Sequence, residues 1–266
     1  MEPLAYIASL LIGISLGLIG GGGSILTVPV LVYLFGISPV LSTSYSLFIV
    51  GSTSLAGALN NYSKGLVSVK TALFFGISSI ATTFLTRKFI IPSIPQHIAT
   101  IGKMILTHDV LTMLLFALLM IAAAVAMIKN GNDLEENDID KILKPNLWKL
   151  LLLGVGIGIT TGLLGAGGGF LLIPTLVLLV GLPMKKAVGT SLLIIALNSL
   201  IGFTGDLGHF AINWAFMVKI TLIASAGIFI GGAIGKKVDG EKLKKAFGWF
   251  VLIMGIGIIV KELFIK

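Results

Sequence analysis

Long apolar segments separated by short polar ones make up most of the chain. Each is a candidate for crossing the roughly 30 Å hydrocarbon core of a bilayer as a helix. Two of them, residues 4–35 and 150–180, are longer than one span and are interrupted by glycines. The pattern predicts an all-α polytopic membrane protein. The remaining segments are residues 41–59, 66–85, 110–128, 187–204, 211–234 and 246–260.

A polar stretch divides these segments into two groups of four. Residues 129–149 carry five acidic side chains and no long apolar run. Such a stretch is too polar to lie within a bilayer. The sequence therefore predicts a first transmembrane repeat over residues 1–128, a polar linker over 129–149 and a second transmembrane repeat over 150–266.

The two groups are related in sequence. A shift of 145 residues aligns Gly20 with Gly165 and Pro29 with Pro174. Residues 17–57 share 17 identities with their counterparts, and coinciding glycines and prolines are not explained by common hydrophobicity. The pattern indicates an internal duplication. Duplicated halves are typical of secondary transporters, whose binding site lies where the halves meet.

The glycine runs predict a break in the first helix of each half. Four consecutive glycines occupy residues 20–23, and each costs about 1 kcal/mol in a helix. We expect a half-helix, a glycine loop and a second half-helix that begins at Ser24, with the same arrangement around residues 165–169. Broken backbone at membrane depth is tolerated where it is buried in protein or lines a cavity. The alternative is that the glycines only permit close helix packing.

The orientation of the halves depends on whether each interrupted segment crosses the membrane or turns back. If it crosses, each half has four spans, the halves are parallel, and Lys and Arg divide 10 to 9 between the two sides. If it turns back, each half has three full spans, the halves are inverted, and the division is 13 to 6. Cytoplasmic loops carry an excess of Lys and Arg. The charge pattern therefore favours inverted repeats.

Composition excludes several classes of protein. Hydrophobic residues make up 56% of the chain and charged residues 11%, which excludes a soluble enzyme and a disordered chain. The net charge of +8 comes without basic runs interleaved with aromatics, so we expect no nucleic-acid partner. The chain has no cysteine and three histidines. We therefore expect no disulfide, metal or other cofactor, and no catalytic residues.

The glycine loops are the first candidate for binding chemistry. The N-terminus of each second half-helix presents unpaired N–H groups and a partial positive charge. Small residues let an anion approach that backbone closely, so we expect an anion site without a buried cation. The two loops would face each other across a pseudo-twofold axis. The predicted substrate-binding residues are Gly20, Gly21, Gly22, Gly23, Ser24, Gly165, Gly167, Gly168 and Gly169.

Hydroxyl and amide side chains of the next span are the second candidate. A hydroxyl donates a hydrogen bond to an oxyanion without the desolvation cost of a full charge. The alternative is that these groups bond to their own or a neighbouring helix, which is common in membranes. The predicted substrate-binding residues here are Tyr45, Ser46, Thr190, Ser191 and Asn198.

The loops that follow these spans contain a recurring basic group. Lys64 aligns with His209, and paired bases at a vestibule would attract anions. His209 with Asp206 could take up a proton near neutral pH. We therefore expect Lys64, Asp206 and His209 to serve as vestibule or coupling residues. The alternative is a solvated turn without a role in function.

The glycine and proline motif resembles that of the TauE/SafE family of membrane transporters, also called sulfite exporters. It occurs twice, at residues 18–23 with Pro29 and at residues 162–169 with Pro174, and residues 187–192 add a second similarity. The resemblance covers essentially the whole chain. It implies transport of sulfite, a sulfonate or a related sulfur anion. Tyr45 stands where the second half has Thr190, so the first copy departs from that motif.

We therefore expect a multi-pass secondary transporter of the cell membrane, which exports a small anion such as sulfite, a sulfonate or a related sulfur oxyanion. Its expected partners are that anionic substrate and the lipid bilayer, and a homodimer stays open. One alternative is a transporter of another small organic anion. A membrane-embedded hydrolase is less favoured because no predicted span contains an internal carboxylate or histidine. A sensor or structural membrane protein would not explain the even duplication.

Overall fold

The computed structural model describes residues 2–101, 104–129, 147–178, 180–235 and 240–264. In the first half, the helices are α1 (Glu2–Ile19), a 3-10 helix (Gly22–Leu26), α2 (Thr27–Tyr33), α3 (Pro39–Tyr62), α4 (Val69–Leu85), a π-helical turn (Thr86–Ile90), α5 (Ile91–Ser93) and α6 (His108–Lys129). In the second half they are α7 (Leu147–Leu164), α8 (Gly169–Leu178), α9 (Met184–Thr204), α10 (Trp214–Ile234) and α11 (Gly240–Phe264).

The fold is all-α apart from one small hairpin. Strands β1 (His97–Ile101) and β2 (Met104–Thr107) pair antiparallel between α5 and α6. The hydrophobic pattern did not predict this hairpin, because it lies between two of the apolar segments. The helical content confirms the predicted fold class.

Four helices of the described chain are long and apolar enough to cross a membrane. They are Val69–Ser93, His108–Val125, Met184–Thr204 and Trp214–Ile234. Helix α3 has 24 residues but is more polar, with seven serines and threonines. Most of these are buried against other helices, so α3 does not need a fully apolar surface. These helices confirm a membrane protein.

The predicted break in the first helix of each half is confirmed. Helix α1 ends at Ile19 and α7 ends at Leu164, in each case just before the glycines. The prediction that the second half-helix begins at Ser24 is wrong, because α2 begins at Thr27. Ser24 lies in the 3-10 helix, where both its N–H and its Oγ donate to the Gly21 carbonyl oxygen, at 3.3 and 2.7 Å. Because of this tight local turn, the α-helix begins three residues later in the chain than predicted.

Each half packs its first helix against the other half in the same way. Gly13 and Gly17 of α1 contact Ala224 and Ile228 of α10, so that these two helices run parallel. Helices α7 and α4 correspond to α1 and α10 under the 145-residue shift. They also run parallel.

The evidence for the α7–α4 pair is a similar series of glycine contacts. A Cβ built on Gly158 would lie 2.6 Å from the Ser79 carbonyl oxygen, and one on Gly162 would lie 2.6 Å from Thr86 Cβ. Such close contacts are possible only where a helix presents glycine. The two halves therefore pack against each other through equivalent helix surfaces.

The central pair, α3 and α9, runs antiparallel. Gly51 packs on Leu200, whereas Gly57 packs on Leu192. Helices α3 and α9, which are equivalent under the repeat, therefore point in opposite directions.

Helix α3 runs parallel to α10, because Tyr45 meets Asn213 and Gly57 meets Ile228. Helix α1 is parallel to α10 as well, so α1 and α3 point the same way. The chain between them must therefore return through the glycine break and α2.

The domain boundaries stay a prediction. Helix α7 begins at Leu147, which lies within the predicted linker. Residues 130–146 of that linker lie outside the described residues.

The glycine contacts of α10 predict a position-specific effect on stability. Gly227→Ala would place a methyl group 2.9 Å from the Ile14 amide nitrogen, whereas Gly232 has open space around its Cα. We expect Gly227→Ala to destabilise the protein by about 1–3 kcal/mol through overpacking. Gly232→Ala, the same substitution on the same helix, should leave the melting temperature unchanged or slightly higher. Thermal melting of both variants in detergent measures this, and equal melting temperatures would contradict the packing of α1 on α10.

Candidate functional site

The two glycine breaks meet at the centre of the molecule. A Cβ built on Gly21 would lie 2.6 Å from the Gly169 carbonyl carbon. Gly20 packs on Val188 of α9, and Gly165 packs on Thr43 of α3, the residue equivalent to Val188. Each break therefore lies against the central helix of the other half.

The second break has a backbone that requires glycine. Gly165, Gly167 and Gly168 have φ angles of +66°, +66° and +68°, a region that side chains with a Cβ rarely adopt. The Gly168 carbonyl oxygen accepts from the N–H groups of Leu171 and Leu172, at 3.0 and 3.1 Å, and so starts α8. The N–H groups of the first two residues of α8 have no carbonyl one turn earlier in the helix.

Buried polar side chains without a partner gather beside this crossing. Thr53 and Ser54 of α3 are equivalent to Asn198 and Ser199 of α9, and all four are fully buried. Their Thr53 Oγ1, Ser54 Oγ, Asn198 Oδ1 and Ser199 Oγ atoms make no hydrogen bond within the described structure. We call these four residues the central polar cluster.

One member of the central polar cluster, Ser199, lies against the second glycine break. A Cβ on Gly167 would lie 3.2 Å from Ser199 Oγ. Thr161 Oγ1, which is also buried and unpartnered, would lie 2.5 Å from a Cβ on Gly168. Hydroxyl groups that border a glycine backbone can donate to the oxygens of a small anion. The Asn198 oxygen is an acceptor, which suits an O–H group of a protonated or hydrated anion.

The predicted hydroxyls at the start of α3 and α9 bind backbone atoms instead. Tyr45 Oη accepts from the Asn213 N–H at 2.8 Å, and Thr190 Oγ1 accepts from the Ser68 N–H at 2.9 Å. Tyr45 is equivalent to Thr190, and Asn213 is equivalent to Ser68. These two symmetric bonds hold the N-termini of α10 and α4.

The neighbouring serines have similar contacts. Ser46 Oγ donates to the Gly165 carbonyl oxygen at 2.8 Å, which ties α3 to the second break. Ser191 Oγ donates to the Val188 carbonyl oxygen of its own helix at 2.8 Å. Substrate binding by Tyr45, Ser46, Thr190 and Ser191 stays a prediction, and their present contacts are structural.

The three vestibule residues do not share one environment. Lys64 and His209 are exposed, whereas Asp206 is buried. Because α3 and α9 are antiparallel, the loops that follow them lie at opposite ends of this pair. Lys64 and His209 therefore cannot form a single vestibule.

Asp206 forms a buried ion pair with Arg87. Its Oδ2 lies 3.2 Å from Arg87 Nη1, and the two side chains are 1% and 0% exposed. Burial raises the pKa of Asp206, and the charge of Arg87 opposes that rise. Arg87 follows α4 in the π-helical turn, and the sequence pattern did not predict a buried cation there. The expectation that the glycine-loop site itself has no buried cation stays a prediction.

Comparisons with known proteins agree with this architecture. A family model described as "Sulfite exporter TauE/SafE" matches residues 5–258. The chain belongs to the TauE/SafE family. No solved structure matches the chain.

Several TauE/SafE relatives are named as transporters. A "Probable membrane transporter protein" of Xylella fastidiosa is 27% identical, over 94% of this chain and 91% of that protein. The "Probable membrane transporter protein YdhB" of Bacillus subtilis is 24% identical, over 95% of this chain and 98% of that protein. A third, from Methanocaldococcus jannaschii, is 26% identical, over 96% and 94% of the two chains. The function class of this TauE/SafE protein is therefore membrane transport.

Sequence reasoning missed most of the central polar cluster of this TauE/SafE protein. Only Asn198 was predicted, although Ser54 and Ser199 are identical under the 145-residue shift. Thr53 and Asn198 are also both polar within apolar segments. Polar residues that recur at equivalent positions are the signal that could have found all four.

The hydrogen bonding of Ser199 and Ser46 predicts that their substitution by alanine has different effects on stability and transport in this TauE/SafE protein. Ser199→Ala removes an unpartnered buried hydroxyl, so stability should be unchanged or higher while transport falls. Ser46→Ala removes the bond to Gly165 and should cost about 1 kcal/mol of stability. Melting temperatures in detergent and transport rates in liposomes measure both effects. Normal transport by a stable Ser199→Ala variant would contradict a role for that hydroxyl.

Proposed function

We propose that the protein is a secondary transporter that exports a small sulfur oxyanion, such as sulfite or a sulfonate. The central polar cluster beside the second glycine break is the observation that carries this proposal. It brings unpartnered hydroxyls and glycine backbone together at the interface of two duplicated halves. The family description, "Sulfite exporter TauE/SafE", supports the choice of substrate class. We propose that the protein acts by transport alone, as a multi-pass protein of the cell membrane.

The chemistry of the proposed site matches an anion of this kind. Hydroxyl and backbone N–H donors bind oxygen atoms without a permanent buried charge. A site of neutral donors releases its anion more readily than a fully charged one, which favours turnover. The first turn of α8 adds a favourable partial charge where it meets the anion.

Access to this site requires that the halves move. Gly21 and Gly169 are in backbone contact, and both are buried. We propose that the packing between the first glycine break and α9, and between the second break and α3, opens alternately. Each opening would expose the central polar cluster to one end of the molecule.

We also propose that the two halves are inverted repeats within the membrane. Two observations support this topology: α3 and α9 are antiparallel, and the chain returns between α1 and α3. The Lys and Arg distribution of 13 to 6 favours the same arrangement. Inverted repeats are a common basis of alternating access.

The topology can be tested with single cysteines, since the chain has none. Lys64→Cys and His209→Cys place a thiol at equivalent, exposed loops. We expect a membrane-impermeant maleimide to label them from opposite sides of the membrane in oriented vesicles. Labelling of both from the same side would contradict inverted repeats and favour parallel halves.

Transport can be tested with valine substitutions in the glycine breaks. Gly167→Val adds bulk 2.9 Å from Ile195 Cγ2 and forces a β-branched residue to φ of +66°. We expect Gly167→Val, and its equivalent Gly22→Val, to abolish efflux of labelled sulfite from proteoliposomes while the protein still inserts. Gly156→Val is the matched control, because Gly156 of α7 has open space around it.

The possible outcomes distinguish an error in the proposed substrate class from an error in the proposed binding site. No efflux of sulfite or methanesulfonate by the unmodified protein, at any membrane potential or pH gradient, would overturn the proposed substrate class. Efflux by folded Gly167→Val at the normal rate would place the anion elsewhere and leave the glycines as packing residues.

A further inference from the structure

Arg87 is buried with most of its hydrogen-bonding capacity unused. Its Nη1 contacts Asp206 Oδ2 at 3.2 Å. Its Nε and Nη2 have no partner within the described residues. The ion pair is therefore held by a single contact, although both groups are able to form two parallel bonds.

The two unused nitrogens form one edge of the guanidinium. Nε–H and Nη2–H point in the same direction and make a planar fork that matches two oxygens of one anion. Leaving such donors buried and unpaired is costly. A pair selected only for stability would turn this fork toward its carboxylate. An ionisable side chain within a membrane span is also costly, which makes it a candidate functional residue.

Arg87 lies between the two halves, near the second glycine break. Arg87 follows α4 of the first half, and Asp206 follows α9 of the second. Thr86, the residue before Arg87, packs on Gly162 at the end of α7, three residues before the break. Gly205 allows the close approach, since a Cβ there would lie 3.0 Å from Arg87 Cβ. Asp206 is eight residues beyond Asn198, or about 12 Å at the rise of a helix.

We propose that the Nε–Nη2 edge of Arg87 is a second anion site, for a small oxyanion that offers two oxygens, with Asp206 as the resident counter-anion. This inference rests on the proposed function, because it supplies a second station for the same class of anion at one end of the path. The single bond to Asp206 keeps Arg87 neutralised when the site is empty. An arriving sulfite, sulfonate or carboxylate occupies the fork without first breaking that bond.

The geometry also determines which anions the site selects. A halide is a single atom and cannot satisfy two parallel N–H groups as an oxyanion does. Lysine carries the same charge as arginine but has no planar fork. Selectivity for oxyanions over chloride should therefore depend on arginine at this position and not only on its charge.

Binding to the full-length purified protein tests this proposal. Isothermal titration with sodium sulfite, sodium methanesulfonate and sodium chloride is compared among four variants in the same detergent. Asp206→Asn removes the resident counter-anion and leaves the fork. Arg87→Gln with Asp206→Asn removes both charges together, so that no unpaired charge is left to unfold the protein. Arg87→Lys keeps the charge, and Lys88→Gln is the matched control, an exposed cation one residue away.

We expect Asp206→Asn to bind sulfite and methanesulfonate about tenfold more tightly, since it removes a competing negative charge at an unchanged fork. The double variant should lose this gain. Arg87→Lys should lose about tenfold of the preference for oxyanions over chloride. Lys88→Gln should bind as the unmodified protein does. Equal sulfite affinity in the unmodified protein, Asp206→Asn and the double variant would overturn the site.

Failure of this site is distinguishable from failure of the proposed function. If the variants bind sulfite in the expected order but the unmodified protein does not export sulfite from proteoliposomes, the proposed transport function is wrong and the Arg87 site stands. If the unmodified protein exports sulfite but all variants bind sulfite equally, the Arg87 site is wrong and the proposed transport function stands.

Discussion

Backbone contact between the two glycine breaks is the constraint on which the rest of the structure depends. Gly21 and Gly169 leave no room for a methyl group between them, so the breaks can meet only if both positions lack a side chain. Their meeting brings each break against the central helix of the other half and places α3 and α9 side by side. The parallel pairs α1–α10 and α4–α7 pack around this antiparallel crossing.

Two sets of polar side chains on α3 and α9 differ in their hydrogen bonding. At the ends of the helices, Tyr45 and Thr190 hold neighbouring helices by equivalent bonds. At the crossing, the four residues of the central polar cluster each leave an atom unpartnered. A buried polar atom without a partner costs about 1–3 kcal/mol, so this arrangement lowers stability where the halves meet. A cost that recurs at equivalent positions of both halves indicates a requirement of function, because packing alone would be better served by apolar residues.

The features that depend on local sequence could be predicted, and those that depend on packing between halves could not. The glycine breaks follow from helix propensity, and the duplication follows from coinciding glycines and prolines. Lys64 and His209 look paired in an alignment, but the antiparallel α3 and α9 send them to opposite ends. Arg87 and Asp206 are far apart in the chain, and Arg87 falls just beyond a predicted apolar segment. Only the packing of α4 against α9 shows that these two charges meet and are buried.

The buried ion pair is a departure from symmetry between the halves. Under the 145-residue shift, Arg87 corresponds to Gly232 and Asp206 to Asn61, so the opposite end of the molecule has no equivalent charges at these positions. A transporter with equal halves would offer the same affinity to an anion at either end. With Arg87 at one end, the two ends differ in affinity by the free energy of that site. Such a difference cannot drive net transport, because an equilibrium affinity performs no work. It sets the anion concentration at which each end becomes saturated, while the gradients across the membrane set the direction.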